Sequence, residues 1–248
     1  MIDENVVITH TDPKSLITEA YKVLRTNVMY SGIDKRLKAI VVTSSVPMEG
    51  KTTTIVNLAV TFAQAGNKVL LIDSDLRKPK IHRIFMLSNN SGLTNLIANH
   101  DDHCKYIRSC DVPNLDILPC GTIPPNPSEL LSSNTMKQFI QEIGEHYDLV
   151  LLDAPPVGSV TDAAIISTFV DGTILVANSG RVEIGAIKRS KELLDKVGAK
   201  IIGVVLNKLK KHASDNYYYY QNDYYTKDTK EKKRGKKHND HNSVTLSE

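Results

Sequence analysis

The stretch Ala39-Ile40-Val41-Val42-Thr43-Ser44-Ser45-Val46-Pro47-Met48-Glu49-Gly50-Lys51-Thr52 decides how the rest of the chain is read. Its opening residues form a short apolar run, as a buried strand requires, and a helical pattern starts at about Lys51. A strand that passes through such a loop into a helix is the setting of a P-loop, where backbone N–H groups and the positive end of the helix cradle phosphates. Lys51 is placed to reach the outer phosphates and Thr52 to offer its hydroxyl to Mg²⁺. In the pattern GxxxxGK[ST] the first glycine falls at Ser45, which a negative φ would accommodate. The expected nucleotide-binding residues are Ser45, Val46, Pro47, Met48, Glu49, Gly50, Lys51, Thr52 and Thr53.

Two further strand ends carry carboxylates. Residues 69–72 run directly into Asp73-Ser74-Asp75-Leu76-Arg77, and Asp148-Leu149-Val150-Leu151-Leu152-Asp153 ends before Ala154-Pro155-Pro156 in a Walker B arrangement. In an open α/β sheet, ligands bind beyond the carboxyl ends of the strands. Lys51, Asp73, Asp75 and Asp153 are therefore expected to converge on one magnesium-bound triphosphate.

Outward from these segments, apolar runs at 173–177, 201–206 and 115–118 predict further strands, and helical patterns cover 51–64 and 183–197. Gly66 and Gly198 follow those two helices at C-cap-like positions. Asp12 and Pro13 read as the start of a helix over 13–30, with Leu16, Ala20, Leu24 and Val28 as its apolar stripe. The pattern predicts an α/β fold with a mostly parallel sheet covered by helices on both faces, a P-loop NTPase over residues 1–207. Residues 208–248 nearly lack aliphatic side chains and are expected to be disordered.

The chain has 248 residues with a net charge of +3. From Lys208 onward ten Lys/Arg face six Asp/Glu, leaving 21 basic and 22 acidic residues before it. A near-neutral body argues against a nucleic-acid groove. No apolar run approaches the roughly 20 residues that cross a bilayer, and the N-terminus lacks the pattern of a secretory signal. Cys104, Cys110 and Cys120 show no CxxC spacing, which argues against a disulfide framework or zinc site and suits a cytoplasmic setting. Six of the ten tyrosines lie within 217–225: Tyr217, Tyr218, Tyr219, Tyr220, Tyr224 and Tyr225.

With these segments in place, the sequence resembles the bacterial tyrosine kinases of capsule and exopolysaccharide biosynthesis, in particular the cytoplasmic kinase half found in Gram-positive bacteria. The resemblance rests on Glu19-Ala20-Tyr21-Lys22-Val23-Leu24-Arg25, the P-loop, Leu71-Ile72-Asp73-Ser74-Asp75-Leu76-Arg77-Lys78-Pro79, Pro124-Pro125-Asn126-Pro127-Ser128-Glu129, the Asp153 strand and the tyrosine cluster. It implies Mg-ATP-dependent transfer to those tyrosines, with Lys51 on phosphate and either Asp73 or Asp75 as proton acceptor, Asp73 being the favoured choice. Asp75 with Thr52 and Asp153 would hold the metal, and Asn207 would contact adenine. It further implies a homo-oligomer, possible as a ring, through Glu19, Lys22 and Arg25. A separate membrane-embedded activator would recruit the kinase to the inner face of the membrane, and a phosphotyrosine phosphatase would oppose it. Two positions depart from the family pattern: Met48 stands where glycine is usual, and Lys22 where arginine is. Lysine lacks arginine's bidentate fork.

Two other readings share the fold. A partitioning or site-selection ATPase would carry a signature lysine early in the P-loop, and residues 44–49 contain none. An ATP-binding assembly factor without catalysis is separated from a kinase only by assay.

Overall fold

A computed structural model of the chain describes residues 2–32, 36–100 and 102–209. The expected disorder and phosphate-acceptor role of the tyrosine-rich segment lie outside the described residues. β1 (Ala39–Ser44), β2 (Val69–Asp73), β4 (Leu115–Leu118), β5 (Leu149–Asp153), β6 (Gly172–Asn178) and β7 (Ile201–Asn207) run parallel where they pair. The two-residue β3 (Arg108–Ser109) adds an antiparallel edge that its polar sequence does not announce. The order is β3-β4-β2-β5-β1-β6-β7. β1, β2, β5 and β6 are buried along their whole length, which explains why they read as continuous apolar runs.

Alternate residues feed two cores. Ile40, Val42, Leu71, Leu151 and Val176 pack on one face with α3 (Lys51–Gln64), the short α4 (Ile81–Ile84) and their neighbours. Val41, Leu70, Ile72, Val150 and Leu175 pack on the other with α5 (Leu93–Asn99), α6 (Pro127–Ser132), α7 (Asn134–His146), α8 (Asp162–Ser167) and α9 (Ile184–Lys196). Gly66 and Gly198 do take positive φ just past α3 and α9.

The N-terminal helix differs from expectation. α1 (Ile8–Thr11) is a separate turn that ends at Asp12, and α2 runs Leu16–Tyr30. The cap is Ser15, whose hydroxyl accepts the Thr18 N–H at 3.1 Å, so Asp12 closes one helix instead of opening the next. Half of the 16/20/24/28 stripe faces inward, with Val28 buried and Leu24 packed against the core. Thr18 and Val28 are buried and Arg25 donates to the Thr61 carbonyl of α3 at 2.9 Å, while Leu16 and Ala20 face solvent. Thr18 is buried by bonding the Ile8 and Asp12 carbonyls of the preceding turn, and only Arg25 reaches α3.

Candidate active site

β1 delivers the chain into the loop 44–50, and α3 begins at Lys51 with Gly50 as its N-cap. Gly50 has φ +93°, and a Cβ there would come within 2.1 Å of the Asn207 side chain, so position 50 admits glycine only. Ser45 is buried and is not among the positive-φ residues, so serine fits where the motif has its first glycine. Met48 is different. Its φ is +68°, the left-handed region, and its side chain is 78% exposed. This is the physical reason glycine suits position 48, and methionine carries local strain of about 1–2 kcal/mol there.

Glu49 contributes more than its backbone. Its carboxylate is buried inside the loop, accepting from Val46 N at 2.9 Å and from Asn178 N, at the end of β6, at 3.1 Å. The Glu49 carbonyl accepts from Asn207 Nδ2 at 2.9 Å, which ties the loop to the end of β7 as well. Beside it, Val46, Pro47, Met48, Asn178, Arg181 and Val182 line a cleft of about 240 Å³. In sequence Glu49 stands only as one loop residue among several. Its bracing partner lies far along the chain, and no local signal marks it.

The lysine and carboxylates meet at the rim. Lys51 Nζ lies 2.9 Å from Asp75 Oδ2 and 3.2 Å from Asp153 Oδ1, and Thr52 Oγ1 donates to Asp153 Oδ2 at 2.7 Å. Asp73 and Asp153 are cross-strand partners in the β2–β5 register, and Ser74 donates both N–H and hydroxyl to the Asp153 carbonyl. Asp73 does not touch Lys51. Its Oδ2 accepts the amides of Lys80 and Ile81 at 3.0 and 2.9 Å, and its buried Oδ1 has no hydrogen-bond partner. Asp75 Oδ1 accepts from Lys78 N at 3.0 Å.

Burial first, and then the Asp153 charge, push Asp73 up to about 8, against the pull of the Ile81 amide. Asp153 is raised chiefly by burial, with Lys51 and Thr52 opposing. Burial would lower Lys51, but the Asp153 and Asp75 charges outweigh it and hold the ammonium above its usual value. Hydroxyl and carboxylate oxygens are the hard donors Mg²⁺ takes, and the partnerless Asp73 Oδ1 leaves acceptor capacity in the same cluster. The residues present fit a magnesium nucleotide.

A second tie is not legible in sequence. Arg77 donates from Nε and Nη2 to the fully buried Asp162 at the start of α8, at 2.8 and 3.0 Å, and Ser128 Oγ in α6 joins the same carboxylate at 2.8 Å. The resemblance segment at 124–129 and the Asp-x-Asp segment are thus fastened to one point. Asp162, following Thr161 at a helix start, carries only a capping signal. Within α2, Glu19 pairs with Lys22 at 2.6 Å, so the expected interface residues also serve the subunit itself. On another loop, consecutive Asp102, His103 and Cys104 bring donor atoms within 4.8 Å of one another despite lacking spaced metal-ligand motifs.

A P-loop at the carboxyl end of a mostly parallel sheet, with an aspartate at the end of each of two neighbouring strands, defines the chain as a P-loop nucleotide-binding α/β protein. The family described as AAA domain matches residues 37–179. Tyrosine-protein kinase YwqD of Bacillus subtilis (strain 168) is 44% identical over 214 residues, 86% of this chain and 90% of that one. The crystal structure of the chimerical protein CapA2B2 superposes with a TM-score of 0.80 at 41% identity, covering 85% and 93% of the two chains. The kinase domain of the Escherichia coli tyrosine kinase ETK gives 0.81 at 35% identity, with 84% and 82% covered. The chain belongs to the bacterial tyrosine-kinase family. No helix among the described residues is long and apolar enough to cross a membrane.

Proposed function

We propose that the chain is a Mg-ATP-dependent protein-tyrosine kinase whose acceptors include the C-terminal tyrosines of a second copy, acting in capsular or extracellular polysaccharide synthesis. The observation that carries this reading is the meeting of Lys51, Thr52, Asp75 and Asp153 within hydrogen-bond distance at the sheet rim, with Asp73 on the adjacent strand position. Mg-ATP, when bound, supplies the phosphoryl group and the divalent charge that neutralises its oxygens. Amides of the 45–53 segment and the Lys51 ammonium hold the phosphates, and Thr52, Asp75 and Asp153 hold the metal. Asn207 and the adjoining cleft take the nucleoside. Asp73 accepts the phenolic proton as the tyrosine oxygen bonds to phosphorus and the bond to the leaving ADP oxygen breaks. Only the ionised form of Asp73 accepts that proton, so transfer should rise with pH as this carboxyl, held up to about 8 in the metal-free chain, ionises.

Each phosphate adds roughly −1.5 to −2 charge at pH 7, enough for several to overturn the small basic excess after Lys208 and loosen an assembly built on Glu19, Lys22 and Arg25. A separate membrane-embedded activator, which places the kinase at the inner membrane face, and an opposing phosphatase complete the proposal. The test is mass spectrometry of the chain before and after Mg-ATP. Wild type gains phosphate on tyrosine, whereas Lys51→Met loses at least about 100-fold in rate, as removal of a transition-state charge partner does. Nucleotide turnover with no phosphotyrosine would instead favour the partitioning-type ATPase. Mixing Lys51→Met chains with active chains truncated after residue 209 should label the inactive partner, since transfer is between subunits.

A further inference from the structure

The segment that holds the two loop carboxylates also faces outward with cations. Backbone amides of Lys78 and Lys80 bond Asp75 and Asp73, while the side chains of both lysines, and of Arg83 on the following turn, are exposed. None of the three has an ion-pair partner among the described residues, in contrast to Arg77, which is spent on Asp162. Residues 76–83 contain no carboxylate. Behind them Asp75 and Asp153 face Lys51, one more acid than base even with Asp73 protonated, and that field repels an anionic acceptor unless charge at the mouth offsets it.

The sequence holds a complementary partner. Residues 213–226, which contain all six clustered tyrosines, include Asp215 and Asp223 and no Lys or Arg. Asp223 directly precedes Tyr224, and Asp215 stands two positions before Tyr217. An extended chain advances about 3.3–3.6 Å per residue, so a flanking aspartate sits within roughly 7 Å of its tyrosine's position. We propose that Lys78, Lys80 and Arg83 form a basic collar that selects tyrosines flanked by acidic residues, so that the acceptor class of this site is an acidic tyrosine peptide. This rests on the kinase reading and names its substrate.

The test is fluorescence anisotropy with the full chain and two labelled synthetic peptides: residues 213–226 as they stand, and the same peptide carrying Asp215→Asn and Asp223→Asn. The acidic peptide should bind about three- to tenfold more tightly at low salt, the span of one or two exposed ion pairs, and the gap should close as salt rises. Lys78→Ala with Lys80→Ala should erase the preference, and Lys78→Glu with Lys80→Glu should reverse it, with thermal melting confirming that each variant folds. Equal affinity for the two peptides, no saturable binding of either, or a preference that survives both variants overturns the collar. Mass spectrometry of the bound peptides after Mg-ATP reports separately on the kinase reading: selective binding without phosphate transfer would defeat that reading and not the binding preference.

Discussion

The two loops that make the site are held in opposite ways. In the P-loop a side chain braces the backbone: the Glu49 carboxylate takes the amides of Val46 and Asn178. In the Asp-x-Asp loop the backbone braces side chains: amides of Lys78, Lys80 and Ile81 take the carboxylates of Asp75 and Asp73. The difference teaches a division of labour. One loop is shaped by a carboxylate that gathers amides, and the other spends its amides on holding carboxylates in place.

The contrast can be broken most forcefully at Asp73. Its proton is held up to about 8 in the folded chain against an ordinary value near 4, so the folded state binds more protons between those limits. Stability of the metal-free, nucleotide-free chain should therefore fall as pH rises from about 4 through about 8. Asp73→Asn should flatten that slope and leave the chain a few kcal/mol more stable than wild type at pH 8, measured by urea unfolding across pH. A wild-type profile with no decline over that range would show that the amides of Lys80 and Ile81 already compensate the charge.

A smaller loss is expected from cutting the P-loop brace. Glu49→Ala leaves two amides without their acceptor and should cost about 1–3 kcal/mol in urea unfolding, with weaker nucleotide binding. Glu49→Gln, which keeps one acceptor oxygen, should fall between. If alanine were neutral, the loop would be set by its backbone alone. The smallest effect is expected at Met48→Gly. Relief of the left-handed strain is set against the greater unfolded-state freedom of glycine, leaving a gain within about 1 kcal/mol. A clear loss of stability there would mean that the methionine side chain packs usefully despite its exposure.

Much of the fold and the site is legible in the sequence, for identifiable reasons. The strands at 39–42, 69–72 and 149–152 are buried on both faces, so their apolar runs need no periodicity, and polar residues directly after them have to lie at the rim. Lys51 and Thr52 follow from local loop chemistry. What escapes depends on partners distant in sequence: Asp162 gains its meaning from Arg77 and Ser128, and Glu49 from Asn178. At α2 the apolar stripe suggests one inward face, yet only Leu24 and Val28 turn to the core, while Thr18 is buried against the Ile8 and Asp12 carbonyls and Arg25 bonds a carbonyl of α3. Hydrophobic spacing cannot report a contact decided by hydrogen bonds.

The pairing of Asp73 with Asp153 across β2 and β5 has a consequence for how this architecture can change. Neighbouring strands keep a gap of about 4.8 Å wherever the ladder is intact. The two acids are therefore spaced by the sheet itself, a ruler that surface remodelling leaves untouched. Loops around them are at liberty to be lengthened, exchanged or recharged, and new acceptors recruited, while the distance between these groups stays as the backbone wrote it.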